Sequence, residues 1–199
     1  MTRSIILLIA VGLGLLFLMN GCGTYNGLVE KDESVNQAWA NVQSAYQRRA
    51  DLVPQLVNTV KGVAEFEKST ITAVTEARSK ATSITIDPSN ITPDQLKKFQ
   101  QAQSGLTSSL SRLLATFERY PELKATANFR DLQTQLEGTE NRIKVERDRF
   151  NEAATQYNTS VRKFPTAIWA GIFGFDRRPQ FEADEGAQNA PEVNFDFSK

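Results

Sequence analysis

One stripe of residues near the C-terminal end constrains the fold more than any other feature. Phe129, Leu132, Leu136, Thr139, Ile143, Glu146, Phe150, Ala153, Tyr157, Val161 and Phe164 follow one another at spacings of three and four. Side chains spaced this way fall on one face of an α-helix and nowhere near one face of a strand. Sustained over so many turns, the pattern predicts a long helix over 128–164, packed at a shallow angle against its neighbours and stopped by Pro165. At a rise of about 1.5 Å per residue it is about 54 Å long.

The same period runs through the first half of the chain. Val35, Ala38/Trp39, Val42 and Ala45/Tyr46 make one stripe, and Leu52/Val53, Leu56, Val60, Val63/Ala64, Ile71, Val74 and Ala77 continue it. Pro54 interrupts the run. Inside a helix, proline removes a hydrogen bond and crowds the carbonyl four residues back, a cost of about 3 kcal/mol, whereas in a first turn it is harmless. With Asp51 as a cap, the stripe divides into helices over 28–48 and 52–82. One long kinked helix is the alternative. Thr92-Pro93-Asp94-Gln95 looks like a helix opening, with Thr92 as cap and Pro93 in the first turn. It predicts a third helix over 93–119, carrying Leu96, Phe99, Leu106, Leu110, Leu113/Leu114 and Phe117 and ended by Pro121. No segment alternates well enough to be a strand. The expected fold is therefore all-α: an elongated antiparallel bundle of four helices within 25–164, behind an N-terminal membrane anchor. An apolar segment, 165–183, and an acidic disordered tail, 184–199, follow it.

The anchor is residues 1–21. Arg3 precedes an uncharged apolar run, Ile5 to Met19, then Asn20-Gly21 and the single cysteine, Cys22. Three readings fit to different degrees: a lipoprotein signal cut before Cys22, the lipid attachment point; a retained transmembrane helix, at the short end of spanning length; or a fully cleaved secretory signal. The first two place the main domain in the periplasm or at the cell exterior, because Arg3 holds the N-terminus in the cytoplasm.

Composition narrows the chemistry. The 23 basic and 23 acidic side chains balance, and no basic block marks a nucleic-acid face. Histidine is absent, which removes the commonest general base and the commonest transition-metal ligand. One cysteine allows no disulfide within the chain and no thiolate cluster. Ser-His-Asp, Cys-His and Glu-x-x-His sites are excluded, no glycine-rich phosphate loop follows a strand, and no cofactor is implied. Glu118, Glu122, Glu137 and Glu140 sit among Arg and Lys at helical surface spacing, as solvated carboxylates do. Arg49, Thr139 and Glu146 intrude on the apolar seams. They read as ion pairs or register devices rather than a polar site, and Arg49 and Glu146 are not expected to meet. In the apolar segment Trp169, Phe173 and Phe175 suit an interfacial membrane contact; the alternative is that they close the open end of the core.

The order of certain motifs resembles the LemA family. These are Tyr25-Asn26-Gly27-Leu28-Val29, Ala38-Trp39, Gln47-Arg48-Arg49-Ala50-Asp51-Leu52-Val53-Pro54-Gln55-Leu56-Val57 and Val60-Lys61-Gly62. Further on come Tyr120-Pro121-Glu122-Leu123-Lys124-Ala125, Thr139-Glu140-Asn141, Phe164-Pro165, Gly174-Phe175 and Phe181-Glu182-Ala183. The resemblance implies a membrane-anchored bacterial protein with a helical-bundle body. The family ordinarily has a transmembrane helix just before the Tyr-Asn pair, where this chain has Gly21-Cys22-Gly23. Some relatives belong to magnetosome membranes, and nothing in this sequence marks that specialisation. No activity and no catalytic residue come with the resemblance. The expectation is a non-enzymatic envelope scaffold or adaptor with the membrane and other envelope proteins as partners. A regulator or enzyme acting on envelope substrates, or membrane remodelling through the apolar segment, are the alternatives.

Overall fold

The computed structural model describes residues 2–60, 67–124 and 126–182, with side chains from Gly21 onward apart from Leu123 and Lys124. Among these residues there is no strand. The helices are α1 (Thr2–Val60), α2 (Lys68–Ser83), α3 (Pro93–Phe117), the single turn α4 (Pro121–Lys124), α5 (Ala127–Arg162) and α6 (Thr166–Phe173). A 3₁₀ turn, Pro88–Asn90, interrupts the connector between α2 and α3.

The helix starts obey local rules. Thr92 Oγ1 accepts from the Gln95 backbone N–H while Gln95 Oε1 accepts from the Thr92 N–H, a reciprocal capping box with Pro93 just inside. Thr126 caps α5 by accepting from the Phe129 N–H. Both helices lie close to their expected bounds.

The break expected between residues 48 and 52 is absent. α1 is one helix of 59 residues that passes through Pro54. Asp51 caps nothing; its Oδ1 accepts from Gln47 Nε2 one turn earlier. Two things offset the proline. Leu52, Val53, Leu56, Val57 and Val60 are all buried, so the turns on both sides of Pro54 gain from packing. The carbonyl of Ala50, which Pro54 leaves without its helical donor, accepts from Arg78 Nε at 2.8 Å. The stretch expected as a second helix is thus divided elsewhere: its beginning belongs to α1, and α2 starts at Lys68 after residues outside the description. Leaving a buried carbonyl unpaired costs about 1–3 kcal/mol. Arg78→Ala accordingly lowers the free energy of unfolding by that amount, with α1 weakened at Pro54, and urea unfolding followed by circular dichroism checks it.

α1 packs most extensively on α5, and α3 on α2. Arg48 donates to Gln135, and Trp39 stands against Phe150, so numbers fall along α5 as they rise along α1: the two are antiparallel. The core lies in two parts. One gathers Leu28, Val35, Trp39, Val42 and Tyr46 of α1 with Ile86, Ile91, Phe99, Ile143, Phe150 and Tyr157. The other gathers Leu52, Leu56 and Val60 with Val74, Leu106, Leu113, Phe117, Phe129 and Leu136. Ile86 and Ile91 bring the connector into the first part. Its turn is held by Asp87, which accepts from both the hydroxyl and the N–H of Ser89; that hydroxyl bond holds the Asp87 carboxyl below the ordinary carboxylate range.

The acidic tail expected over 184–199 lies outside the described residues. Phe164, expected on the seam, is 82% exposed, because α5 ends at Arg162.

Candidate docking groove and basal helix

Arg49 stands where the two parts of the core meet. Its side chain is 2% exposed. Nη1 donates to Thr107 Oγ1 at 2.7 Å and to Glu140 Oε1 at 3.0 Å, while Nη2 donates to Gln103 Oε1 at 2.6 Å and to the Gln103 carbonyl at 3.2 Å. The guanidinium lies over the Tyr46 ring. Gln103 Nε2 in turn donates to the carbonyl of Ala81, in the last turn of α2, where helix geometry supplies no donor. One cation therefore ties α1, α3 and α5, and through Gln103 also α2. Glu140, expected on a solvated face, is drawn in as its counter-charge.

Arg49 and Glu146 do not meet. Glu146 is fully buried, with Oε1 accepting from Arg142 Nε at 2.7 Å and Arg149 Nη1 at 2.9 Å, both on α5. Thr139 donates to the Gln135 carbonyl one turn back. The three polar intrusions are thus satisfied separately: Glu146 and Thr139 within α5, Arg49 across α1, α3 and α5. Among the described residues no group of three or more Cys, Asp or Glu side chains is placed to hold a metal ion.

α3 and α5 flank α1 and leave between them an open groove of about 590 Å³, floored by Tyr46 and Arg49. Its upper end is filled by the chain itself. After α6, the segment 175–182 turns back along α5 in extended form, and side-chain amides read its backbone. Asn158 Nδ2 donates to the Arg178 carbonyl, and Asn158 Oδ1 accepts the Arg178 N–H. One heptad earlier on α5, Asn151 does the same for Phe181. The Glu182 carbonyl accepts from Gln100 of α3 and Arg147 of α5, at the mouth of the open part of the groove. Phe181 is buried among Trp39, Phe150 and the Arg147 guanidinium.

Arg178 fixes the entry of this segment. Nε and Nη2 form a two-toothed pair with Asp32 of α1, and Nη1 donates to the carbonyls of Pro88 and Ser89. The Tyr157 hydroxyl lies in the field of this pair. Burial and then the Asp32 charge push it up to about 12, against the opposing pull of Arg178.

The third feature is at the base. The Trp169 ring packs directly on Gly21: a Cβ added there would come within 2.8 Å of the indole. Phe173 stacks on Trp169 and meets Tyr25 edge-on, and Phe175 is half-buried beside the same tyrosine. Trp169 thus faces α1, while Phe164, Ile168, Ile172 and Phe173, on or beside α6, are large apolar side chains left exposed, as are Tyr25 of α1 and Val145 of α5. Cys22, the expected lipid attachment point, is an exposed free thiol on α1. No helix among the described residues is long and apolar enough to cross a membrane; the side chains of Ile5–Met19, on which the anchor reading rests, lie outside them.

The sequence singled out Arg49, Glu146 and the aromatic residues of α6, and it missed Gln103, Thr107, Asn151, Asn158 and Arg178. One signal was available: Asn151 and Asn158 are seven residues apart, so they share a face of α5.

Such a molecule is an all-helical bundle protein with a polar layer through its core and a docked C-terminal strap. Its family follows from comparison: the LemA family model matches residues 38–195, and the chain belongs to the LemA family. It is 27% identical over 163 residues to a protein LemA of Metamycoplasma hominis, an alignment covering 82% of this chain and 71% of that protein. It is likewise 27% identical over 175 residues to the magnetosome protein MamQ 2 of Paramagnetospirillum magneticum, covering 79% of this chain and 64% of that one. A MamQ of Magnetospirillum gryphiswaldense matches at 27% identity over 174 residues, with the same shares covered.

Proposed function

We propose that this protein is a non-catalytic scaffold or adaptor of the bacterial cell envelope, tethered by its N-terminal helix and standing with α6 on the membrane surface. The observation that carries this reading is the seat of Trp169 on Gly21. Gly21 lies two residues beyond the apolar run Ile5–Met19, so α6 sits where α1 would leave a bilayer. Phe164, Ile168 and Ile172, exposed beside that point, are the residue types that gain from burial at the lipid boundary. The names of the relatives that are magnetosome proteins accord with work at a membrane. The same contact favours a retained helix over cleavage before Cys22, because cleavage would remove the glycine on which the indole rests. Partners would be other envelope proteins.

The full chain in nanodiscs carrying shallow brominated lipids tests the reading. Trp39 is fully buried in the bundle, so subtracting the emission of Trp169→Phe isolates Trp169. Quenching of that component is expected, together with a mature N-terminus that retains Gly21 by mass. An unquenched Trp169 removes α6 from the membrane, and a lipid-modified N-terminus at Cys22 replaces the helix with a lipid anchor.

A further inference from the structure

We propose that Arg162 and Lys163 select anionic phospholipid headgroups, so that α6 stands on negatively charged lipid rather than on the bilayer at random. This selection rests on the membrane position of α6 given above. Charge at the base of the molecule has one sign. Residues 20–29 of α1, and 153–175 through the end of α5 and all of α6, hold no Asp or Glu and only two basic residues, Arg162 and Lys163. In a chain whose 23 basic and 23 acidic side chains cancel, that is a local excess. Both side chains are exposed, and neither makes an ion pair among the described residues. Higher up the signs mix again: Glu30 is followed by Lys31, Asp176 by Arg177, and Asp32 is paired with Arg178.

The register of α1 against α5 gives the height of these cations. Arg49 meets Glu140 and Trp39 meets Phe150, so one step up α5 is one step down α1, and Arg162 comes level with Gly27. At about 1.5 Å per residue, Gly27 is about 9 Å above Gly21, the seat of Trp169, and about 12 Å above Met19, where the apolar run ends. The headgroup layer of one leaflet is about 5–8 Å thick. Long Arg and Lys stems lower their charged ends through the few ångströms that remain. From Lys163 the chain passes to Phe164, 82% exposed, and then into α6, so the two cations stand directly over the apolar side chains that meet the lipid. Near an anionic surface each such charge is worth about a fivefold change in affinity. Arg162 also lies in the last turn of α5, where a cation complements the helix dipole. That local role carries no choice between lipids.

The full chain in phosphatidylcholine nanodiscs tests this, with a small and equal fraction of either brominated phosphatidylglycerol or brominated phosphatidylcholine added. Subtracting the emission of Trp169→Phe isolates Trp169. The expected result is that the anionic bromolipid quenches that component about fivefold more strongly per mole. The excess shrinks as added salt shortens the Debye length. It disappears when Arg162→Gln and Lys163→Gln are combined, and it survives Arg162→Lys. Equal quenching by the two lipids overturns the selection while leaving α6 at the membrane. An excess that persists in the double glutamine variant also overturns it. Quenching by neither lipid removes α6 from the bilayer, and the selection falls with it.

Discussion

Glu140→Ala lowers the stability of the bundle by about 3 kcal/mol, and Glu140→Gln costs clearly less. Removing one partner of a buried ion pair typically costs about 3–5 kcal/mol, because the remaining charge stays out of water without compensation. The Glu140 side chain is 38% exposed, so solvent replaces part of what it gives and the loss falls at the lower end of that range. Arg49 has no such recourse, being 2% exposed. With alanine at 140 the guanidinium keeps Gln103 and Thr107 but faces them as an uncompensated cation. Glutamine restores an acceptor oxygen without the charge, so the gap between the two variants separates the ionic from the hydrogen-bonding part. Arg49→Met removes the cation but strands the Gln103 oxygen and the Glu140 carboxylate. In combination with Glu140→Ala it should cost less than the sum of the two singles, the mark of a coupled pair. Urea denaturation of the unsubstituted protein and these four variants measures all of this, without the screening an ionic denaturant would impose. An Arg49→Met cost that adds fully to that of Glu140→Ala would show that the pair is not coupled.

The parts of this fold that were legible are those set by neighbours in sequence. Thr92-Pro93-Asp94-Gln95 carries both halves of its capping box within four residues, so α3 could be placed from the text alone. The three-four spacing of α5 is equally local. Pro54 misled for the opposite reason: the donor that relieves it, Arg78, comes from another helix, and no rule of local propensity contains it. Arg49 stood out as polar on an apolar seam, yet its acceptors come from α3 and α5 and only packing selects them. The strap was hidden most completely. Gly174 begins it, holding the left-handed φ of +74° at the end of α6 that other residues adopt at a cost. A glycine at that point announces a turn but not its destination. Phe181, deep in the core, sits in sequence beside an acidic run and reads as tail until Trp39, Phe150 and Asn151 are seen around it.

Arg178→Ala releases the strap and costs about 2–3 kcal/mol, the second large effect. Hydrogen bonds to charged groups are worth about 1.5–3 kcal/mol net. Arg178 makes a two-toothed pair with Asp32 and two more bonds to the connector carbonyls. Solvent takes over some of these, because Asp32 and the turn carry partial exposure, so the sum is not realised. Arg178→Lys keeps the charge but not the planar fork that matches a carboxylate, and it should recover only part of the loss. A second readout distinguishes loss of the pair from general loosening. Arg178 holds the Tyr157 hydroxyl down against burial and Asp32, so its removal should raise that titration further while the body stays folded. General unfolding would do the reverse and return it toward 10. Below pH 10 the tyrosine is protonated in folded and unfolded chains alike and contributes no slope; between 10 and 12 the unfolded chain alone loses the proton, so stability falls across that window. Ultraviolet titration against Tyr157→Phe, read beside amide exchange of residues 176–182, follows both effects at once. An unchanged exchange rate in Arg178→Ala would mean that Asn151, Asn158 and Phe181 suffice to hold the strap without its ion pair.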